Sequence, residues 1–536
     1  MTRSRLFTIG AVVLGILAIP ATTARAATNP HTPACTDSWK AAVSGVWSVG
    51  ANWSDGQIPT GNDNVCITVP GTYTVTLAPW SIGTADPNND GANVHSITIG
   101  ETGGTGTQTL DIAGQGSTSN SNEQVSTVFL NVAATSTISA HGSLILDSTD
   151  GGSTLPGNPS GGYAAVFGAN VQNYGSVETE VQDLKNKYAN FTQIEASLTN
   201  KAGASVHDSS GLLEATAVTN KGRFTVATRA SLSVVALQGV FGAPASFTNA
   251  GELVNNGSIA ANQVAGTVTW TQSAGSIKGN EVTLQGGATL VDAAGAGQFL
   301  MNSIAAKLTG TIPIGQKITV LGEAYNSAGD NYNGTTLVLD GHTVVNHGTL
   351  VLEAQGSGNK SGGPAVVTDG SIRNDGTILA EVHDPSWTVQ YQAGLQNTRA
   401  GTVTVNGGTF NDEGGGTVAN DGTVKIGPRA AYLLEGGTAF SNKGGAIEPQ
   451  IASSTSLGQF VLVSGKFTAG GALLPGLVGT KPAANTEFRL FVLSGGTFAG
   501  TFAHVGSPFT ADYGHESASP AFVGAIYDKS AKKKKG

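Results

Sequence analysis

The sequence predicts an all-β right-handed parallel β-helix, a solenoid with an N-terminal β opening module and C-terminal capping strands. Three observations carry the prediction. A phrase recurs in which an apolar residue, one residue, Asn, one or two residues and Gly precede an apolar or β-branched run; it covers 171–181, 198–206, 218–226, 247–254, 344–354, 372–382, 418–426 and 440–447. Its asparagines lie 27 (173 to 200), 20 (200 to 220), 29 (220 to 249), 28 (346 to 374) and 22 (420 to 442) residues apart, a spacing typical of stacked repeats whose loops absorb insertions. Runs of helix formers are nearly missing, while Gly is abundant at 76 of 536 residues. Asn and Gly both tolerate positive φ, so each phrase is expected to be a turn between two strands.

Residues 1–5 are basic and 6–21 apolar, and Ala24, Arg25 and Ala26 form a small-x-small cleavage site, so 1–26 is expected to be a signal peptide of a secreted protein. The competing reading, a membrane anchor, is disfavoured because the apolar stretch is shorter than the roughly 20 residues a span needs. Removal of 1–26 takes away Arg3, Arg5 and Arg25 and no acid, leaving 24 basic against 36 acidic residues. Such an acidic chain repels polyanions, so nucleic acid is not an expected partner. No later segment is apolar enough to be a transmembrane span.

Residues 27–113 are expected to form the opening module. It holds the only two cysteines, Cys35 and Cys66. An even pair in an exported chain predicts a disulfide, closing a loop of about 30 residues worth roughly 3 kcal/mol; two free buried thiols are the alternative. Trp47-Ser48, Asn52-Trp53 and then Pro59, Gly61 and Asp63 precede alternating strands at 64–69 and 73–77 around the turn Pro70-Gly71. This pattern resembles the opening module of secreted bacterial β-helical, adhesin-like surface proteins. The resemblance covers about 70 residues and implies an extracellular, pectin-lyase-like solenoid; it implies no catalytic residue.

Residues 114–456 are expected to form the β-helix, after a polar loop at 114–125. Its inward aliphatics should stack coil on coil, and its asparagines should stack as amide ladders at the turns. The interval 178–195 is the one charge-dense stretch. Residues 457–527, with Gly-Thr-Phe at 496–498 and 500–502, should supply capping strands, since a solenoid must cover its last apolar layer. Residues 528–536 are a basic tail expected to be disordered. Its Lys532, Lys533, Lys534 and Lys535 either bind anionic wall polymers or membranes or remain a solvated terminus, the favoured reading.

Few motifs point to chemistry. Asp86, Asn88 and Asp90, followed by Gly91, match the first half of a calcium loop, but the twelfth position is Ile97 rather than Glu. A plain turn is favoured, and no metal or cofactor is expected. Hydrolysis of a glycan needs two carboxylates held about 5 to 9.5 Å apart. Asp147, Asp150, Asp183 and Asp208 are scattered. Glu353 and Glu381 each follow a repeat asparagine, Asn346 and Asn374, by seven residues, so they are predicted on neighbouring coils, pointing to solvent. They are the candidate catalytic pair, with solvated edge acids the favoured alternative. His342 and His347 flank one turn and read as surface residues; GxSxG and HExxH are absent. The sequence therefore favours a non-enzymatic extracellular surface, matrix or adhesion protein that engages polysaccharide through polar faces and exposed Trp or Tyr. The competing reading is a polysaccharide-active lyase or glycoside hydrolase on the same scaffold.

Overall fold

A computed structural model describes residues 34–78, 90–115, 126–149, 162–182, 191–236, 244–262, 266–322, 334–355, 363–383, 387–515 and 521–528. Residues 1–26, Asp86 and Asn88, residues 183–190 of the charge-dense interval, and the lysines at 532–535 lie outside them. Asp90 opens the strand Asp90–Val94, and Ile97 is buried in the core, so no ligand stands at the twelfth position of the calcium-type turn. Among the described residues no helix is long and apolar enough to cross a membrane.

The chain is a parallel β-helix. Each early coil contributes three strands. The first face is made of strands such as Val171–Asn173, Leu198–Asn200, Ala217–Asn220 and Ala245–Asn249, paired in parallel and in register. After a tight corner come second-face strands such as Gly142–Thr149 and Ser176–Val181. Third-face strands such as Gly162–Gly168 and Phe191–Ile194 follow. Alternate residues point inward, so Val171, Leu198, Val218, Phe247, Trp270 and Leu290 stack as one buried column. A single apolar core runs from Trp39 to Tyr527.

The opening residues are coils of this same solenoid. Asp37–Ser38 pairs with Asn64–Ile67, which pairs with Ser96–Ile99. Cys35 and Cys66 form the expected disulfide, with Cα atoms 5.8 Å apart. The tryptophan motif plugs the open end: Trp53 packs edge-on against Trp39 and Trp47, at 5.0 and 4.8 Å, and its Nε1 donates to the Trp47 carbonyl at 2.7 Å. In the Pro-x-Gly-x-Asp turn, Asp63 accepts from the Thr60 backbone N–H (2.8 Å) and hydroxyl (2.7 Å) and from Thr36 (3.0 Å). These bonds, that from the Thr60 N–H foremost, hold its carboxyl below the usual range.

The repeat asparagines lie where the phrase predicts, on one corner, but for a different reason. None has positive φ, and neither do Gly175, Gly222, Gly251, Gly348 or Gly376. The asparagines close the first-face strands with their side chains turned inward and fully buried. Asn249 Nδ2 donates to Gln272 Oε1 at 3.3 Å; in the three coils before it each Nδ2 donates to the next coil's Asn Oδ1: Asn173 to Asn200 at 2.9 Å, Asn200 to Asn220 at 2.8 Å, and Asn220 to Asn249 at 2.9 Å. Its second hydrogen reaches a backbone carbonyl beyond the corner, as from Asn173 to Ser205 at 2.9 Å. The glycine is required by close approach. A Cβ at Gly376 would stand 2.3 Å from the Gly348 carbonyl oxygen, and one at Gly175 2.2 Å from that of Gly142.

A second ladder runs through Asn346, Asn374, Asn397, Asn420 and Asn442. Between the two ladders the faces rearrange. The second-face column ends at Ser276–Gly279, and the column of Val282–Gln285, Gly297–Met301 and Gln316–Gly322 takes the place after the corner. The strand Ala306–Ile312 then splits its first-face column, pairing with both Thr335–Val338 and Thr343–Asn346. Here the ladder position is held by Gln272 and then by Asp292. At the far end the parallel columns reach Glu487–Leu493, Thr497–Ala499 and His504–Val505. Ala521–Tyr527 pairs antiparallel with Glu487–Leu493 and with Phe509–Asp512, forming the cap.

Candidate functional site

Glu353 and Glu381 face each other on adjacent coils, as direct partners in the pairing of Thr349–Ala354 with Thr377–Val382. Leu350, Leu352, Ile378 and Ala380 point into the core, so both acids project outward. The expectation that both extend freely into solvent is corrected for Glu353. Its side chain is only 17% exposed, accepts from Gln355 Nε2, and lies 3.2 Å from His383 Nε2. Ligand atoms of Glu353, Glu381 and His383 fall within 4.8 Å of one another. Sequence reasoning missed His383; the signal was its i+2 spacing from Glu381 on an outward strand face.

A second carboxylate cluster stands on the second face of the early coils. Strand alternation points Asp111, Asp147, Glu178 and Glu180 outward, and register sets Asp147 beside Glu180 and Glu178 in line with Asp111 through Ile145. The Asp147 carboxyl is pushed up to about 6, first by burial and then by the charges of Asp111 and Glu180. Gln182 Nε2, donating at 2.8 Å, offsets part of this. Burial raises Asp111 as well. One oxygen of each aspartate, Oδ1, is shielded and makes no hydrogen bond. Asp147, scattered in sequence from the other acids, is thus brought into a cluster. Asp208 is not part of it: it points inward, is fully buried, and accepts from Thr179 Oγ1 at 3.0 Å.

Around the next corner, the third face turns aromatic side chains outward. Val128, Leu130, Ala164, Val166 and Ile194 fill the core side, which leaves Phe129, Tyr163, Phe167 and Phe191 half-buried on the outer side. Phe129 and Phe167 lie 5.5 Å apart, Tyr163 packs edge-on against Phe191, and the Phe129 ring lies directly over Gly91. Glu214 stands nearby on the same surface, its carboxyl raised by burial and by Glu195, and its charge helps burial push Tyr163 up to about 12. Of the tryptophans, Trp387 is partly buried against the core and Trp80 lies outside the described residues, whereas Trp39, Trp47, Trp53 and Trp270 are buried. These indoles fill the plug and the core because a solenoid interior needs large apolar side chains at every layer.

A shallow concavity of about 310 Å³ lies far along the chain, lined by residues including Ser453, Leu477, Lys481 and Phe488; no carboxylate lines it. The chain matches no family model and no curated protein at a significant level.

Proposed function

We propose that this is a secreted, non-enzymatic extracellular surface, matrix or adhesion protein that binds polysaccharide along the side of its solenoid. The outward row Phe129, Tyr163, Phe167 and Phe191 carries the reading. The core beneath is already filled by aliphatics, so these rings add partly exposed apolar surface that the coil does not need for its own packing. Contiguous apolar surface of that kind marks contact sites, and the C–H faces of sugar rings stack on aromatic rings while their hydroxyls reach polar neighbours. Glu214 and Gln193 on the same face offer acceptors. Export is supported by the signal pattern at 1–26 and is compatible with the disulfide. The adhesive role draws on the resemblance of the opening motif.

A second reading, a polysaccharide-active hydrolase or lyase, is favoured by one observation. Asp147, held up to about 6 beside Asp111 and Glu180, is poised to exchange a proton near neutral pH. A glycan-array screen run beside a reducing-sugar and unsaturated-uronate release assay separates the two. Saturable glycan binding lost in Tyr163→Ala and Phe167→Ser, with no release of sugar, is the expected result. Turnover abolished by Asp147→Asn, or by Glu353→Gln or Glu381→Gln, would overturn the non-enzymatic reading.

A further inference from the structure

We propose that Glu487, Asp512 and His515 bind one divalent transition-metal cation of the Zn²⁺ type, which clamps the C-terminal cap. Glu487 starts the strand Glu487–Leu493, Asp512 ends Phe509–Asp512, and both strands pair with Ala521–Tyr527. The three side chains therefore come from two segments of the cap, Glu487 from one strand and Asp512 and His515 from the end of another strand and the turn that follows it. Their ligand atoms lie within 4.8 Å of one another.

The geometry is that of a coordination shell. His515 Nε2 is 3.0 Å from Glu487 Oε1 and 3.4 Å from Asp512 Oδ2. Ligands at about 2.0–2.1 Å from a tetrahedral zinc are separated from one another by about 3.3 Å. His515 Nε2 is in ion-pair range of both carboxylates, but Glu487 Oε1, on a side chain 33% exposed, is itself shielded from solvent and has no well-directed hydrogen bond. A cation placed among the three groups would satisfy that oxygen.

The donors are also pre-positioned. The His515 ring lies flat on Phe522, at 4.3 Å and 10° between planes, which fixes where Nε2 points. The Gly514 N–H donates to Asp512 Oδ1 at 2.8 Å, leaving Oδ2 for the site. A Cβ at Gly524 would stand 3.0 Å from the Phe488 carbonyl oxygen and 3.3 Å from Glu487 Oε1, so the glycine leaves room beside that carboxylate. An imidazole with two carboxylates suits Zn²⁺ and its neighbours rather than calcium or magnesium, which take oxygen ligands.

The test titrates the full mature chain, disulfide intact, with ZnCl₂ by calorimetry and follows amide hydrogen exchange with and without the metal. The expected result is one saturable site whose filling slows exchange across Glu487–Leu493 and Ala521–Tyr527. Binding should be lost in His515→Ala and in the near-isosteric Glu487→Gln, with circular dichroism reporting the fold of each, and retained in His383→Ala. No protection of the cap, or a binding event that survives both Glu487→Gln and His515→Ala, would overturn the proposal.

Discussion

Asn374 shows at the scale of one residue what each corner of the coil requires. It is fully buried, accepts from Asn346 Nδ2 at 2.8 Å, and donates to Asn397 Oδ1 at 2.8 Å and to the Thr402 carbonyl at 3.2 Å. Removing it strands a donor below and two acceptors above. Since an orphaned buried partner costs about 1–3 kcal/mol, Asn374→Ala should destabilise the chain by about 3 kcal/mol or more, measured by urea denaturation. Gly376, two residues on, tests the other half of the phrase. A methyl there would stand 2.3 Å from the Gly348 carbonyl oxygen, itself fixed by the Thr377 N–H donating to it at 2.9 Å. Gly376→Ala should therefore cost more than the roughly 1 kcal/mol of a left-handed glycine replacement such as Gly203→Ala, whose site is open and whose φ is +86°. Equal losses at the two positions would refute the close-approach account.

At the scale of the element, the break between the two ladders is the most informative feature. The position after Gln272 is held by Asp292, which is 1% exposed, accepts from Gln316 Nε2 at 3.3 Å, and leaves Oδ2 without a hydrogen bond. Burial pushes its carboxyl up to about 7, and Gln316 offsets only part of that. The folded state therefore holds this proton above the pKa of about 4 of an unfolded aspartate. It binds more protons than the unfolded state between about pH 4 and 7, so its contribution is full below about 4 and is lost as pH rises through about 7. Asp292→Asn puts a neutral amide in that place. The variant should match the parent near pH 4 and exceed it by about 2–4 kcal/mol at pH 8; a difference that does not change with pH would sink this account. Asp412, pushed up to about 7 chiefly by burial and donated to by Tyr432 at 2.9 Å, adds the same slope in the later coils.

Much of this molecule was legible as periodicity. The phrase located the corner, and the seven-residue offset of Glu353 and Glu381 from Asn346 and Asn374 gave their register correctly. Asn397 escaped because three residues, Thr398, Arg399 and Ala400, separate it from Gly401, one more than the phrase allows. The phrase also fits 253–259, where buried Asn255 closes the second-face strand Glu252–Asn255 outside the ladder; its silence from there to Asn346 accompanies the face rearrangement, but periodicity has no symbol for one column ending and another opening. The carboxylates were less legible still. Asp111 and Asp147 are 36 residues apart and sit two positions out of step, so only the paired strands Gln108–Gln115 and Gly142–Thr149 reveal them as neighbours. His515 meets Glu487 through an antiparallel return that no repeat announces.

At the scale of the whole molecule, the joint between coils is the same at every level within a ladder. In the second ladder Asn346 presents an oxygen with no hydrogen-bond partner at one end, and Asn442 an Nδ2 with none at the other; every rung between gives and takes alike. A chain of identical couplings has no memory of how many cars it pulls. Removing residues 374–396, one turn of 23, brings Asn397 to the place of Asn374, with Asn346 below and Asn420 above. The shortened protein should fold, with an unchanged far-ultraviolet dichroism per residue and a length by small-angle scattering reduced by about 4.8 Å, one strand spacing. A cut of the same size that begins out of phase, at residue 385, should not fold. Rods of differing reach can thus be made from one another by splicing alone, with the plug and the cap left untouched.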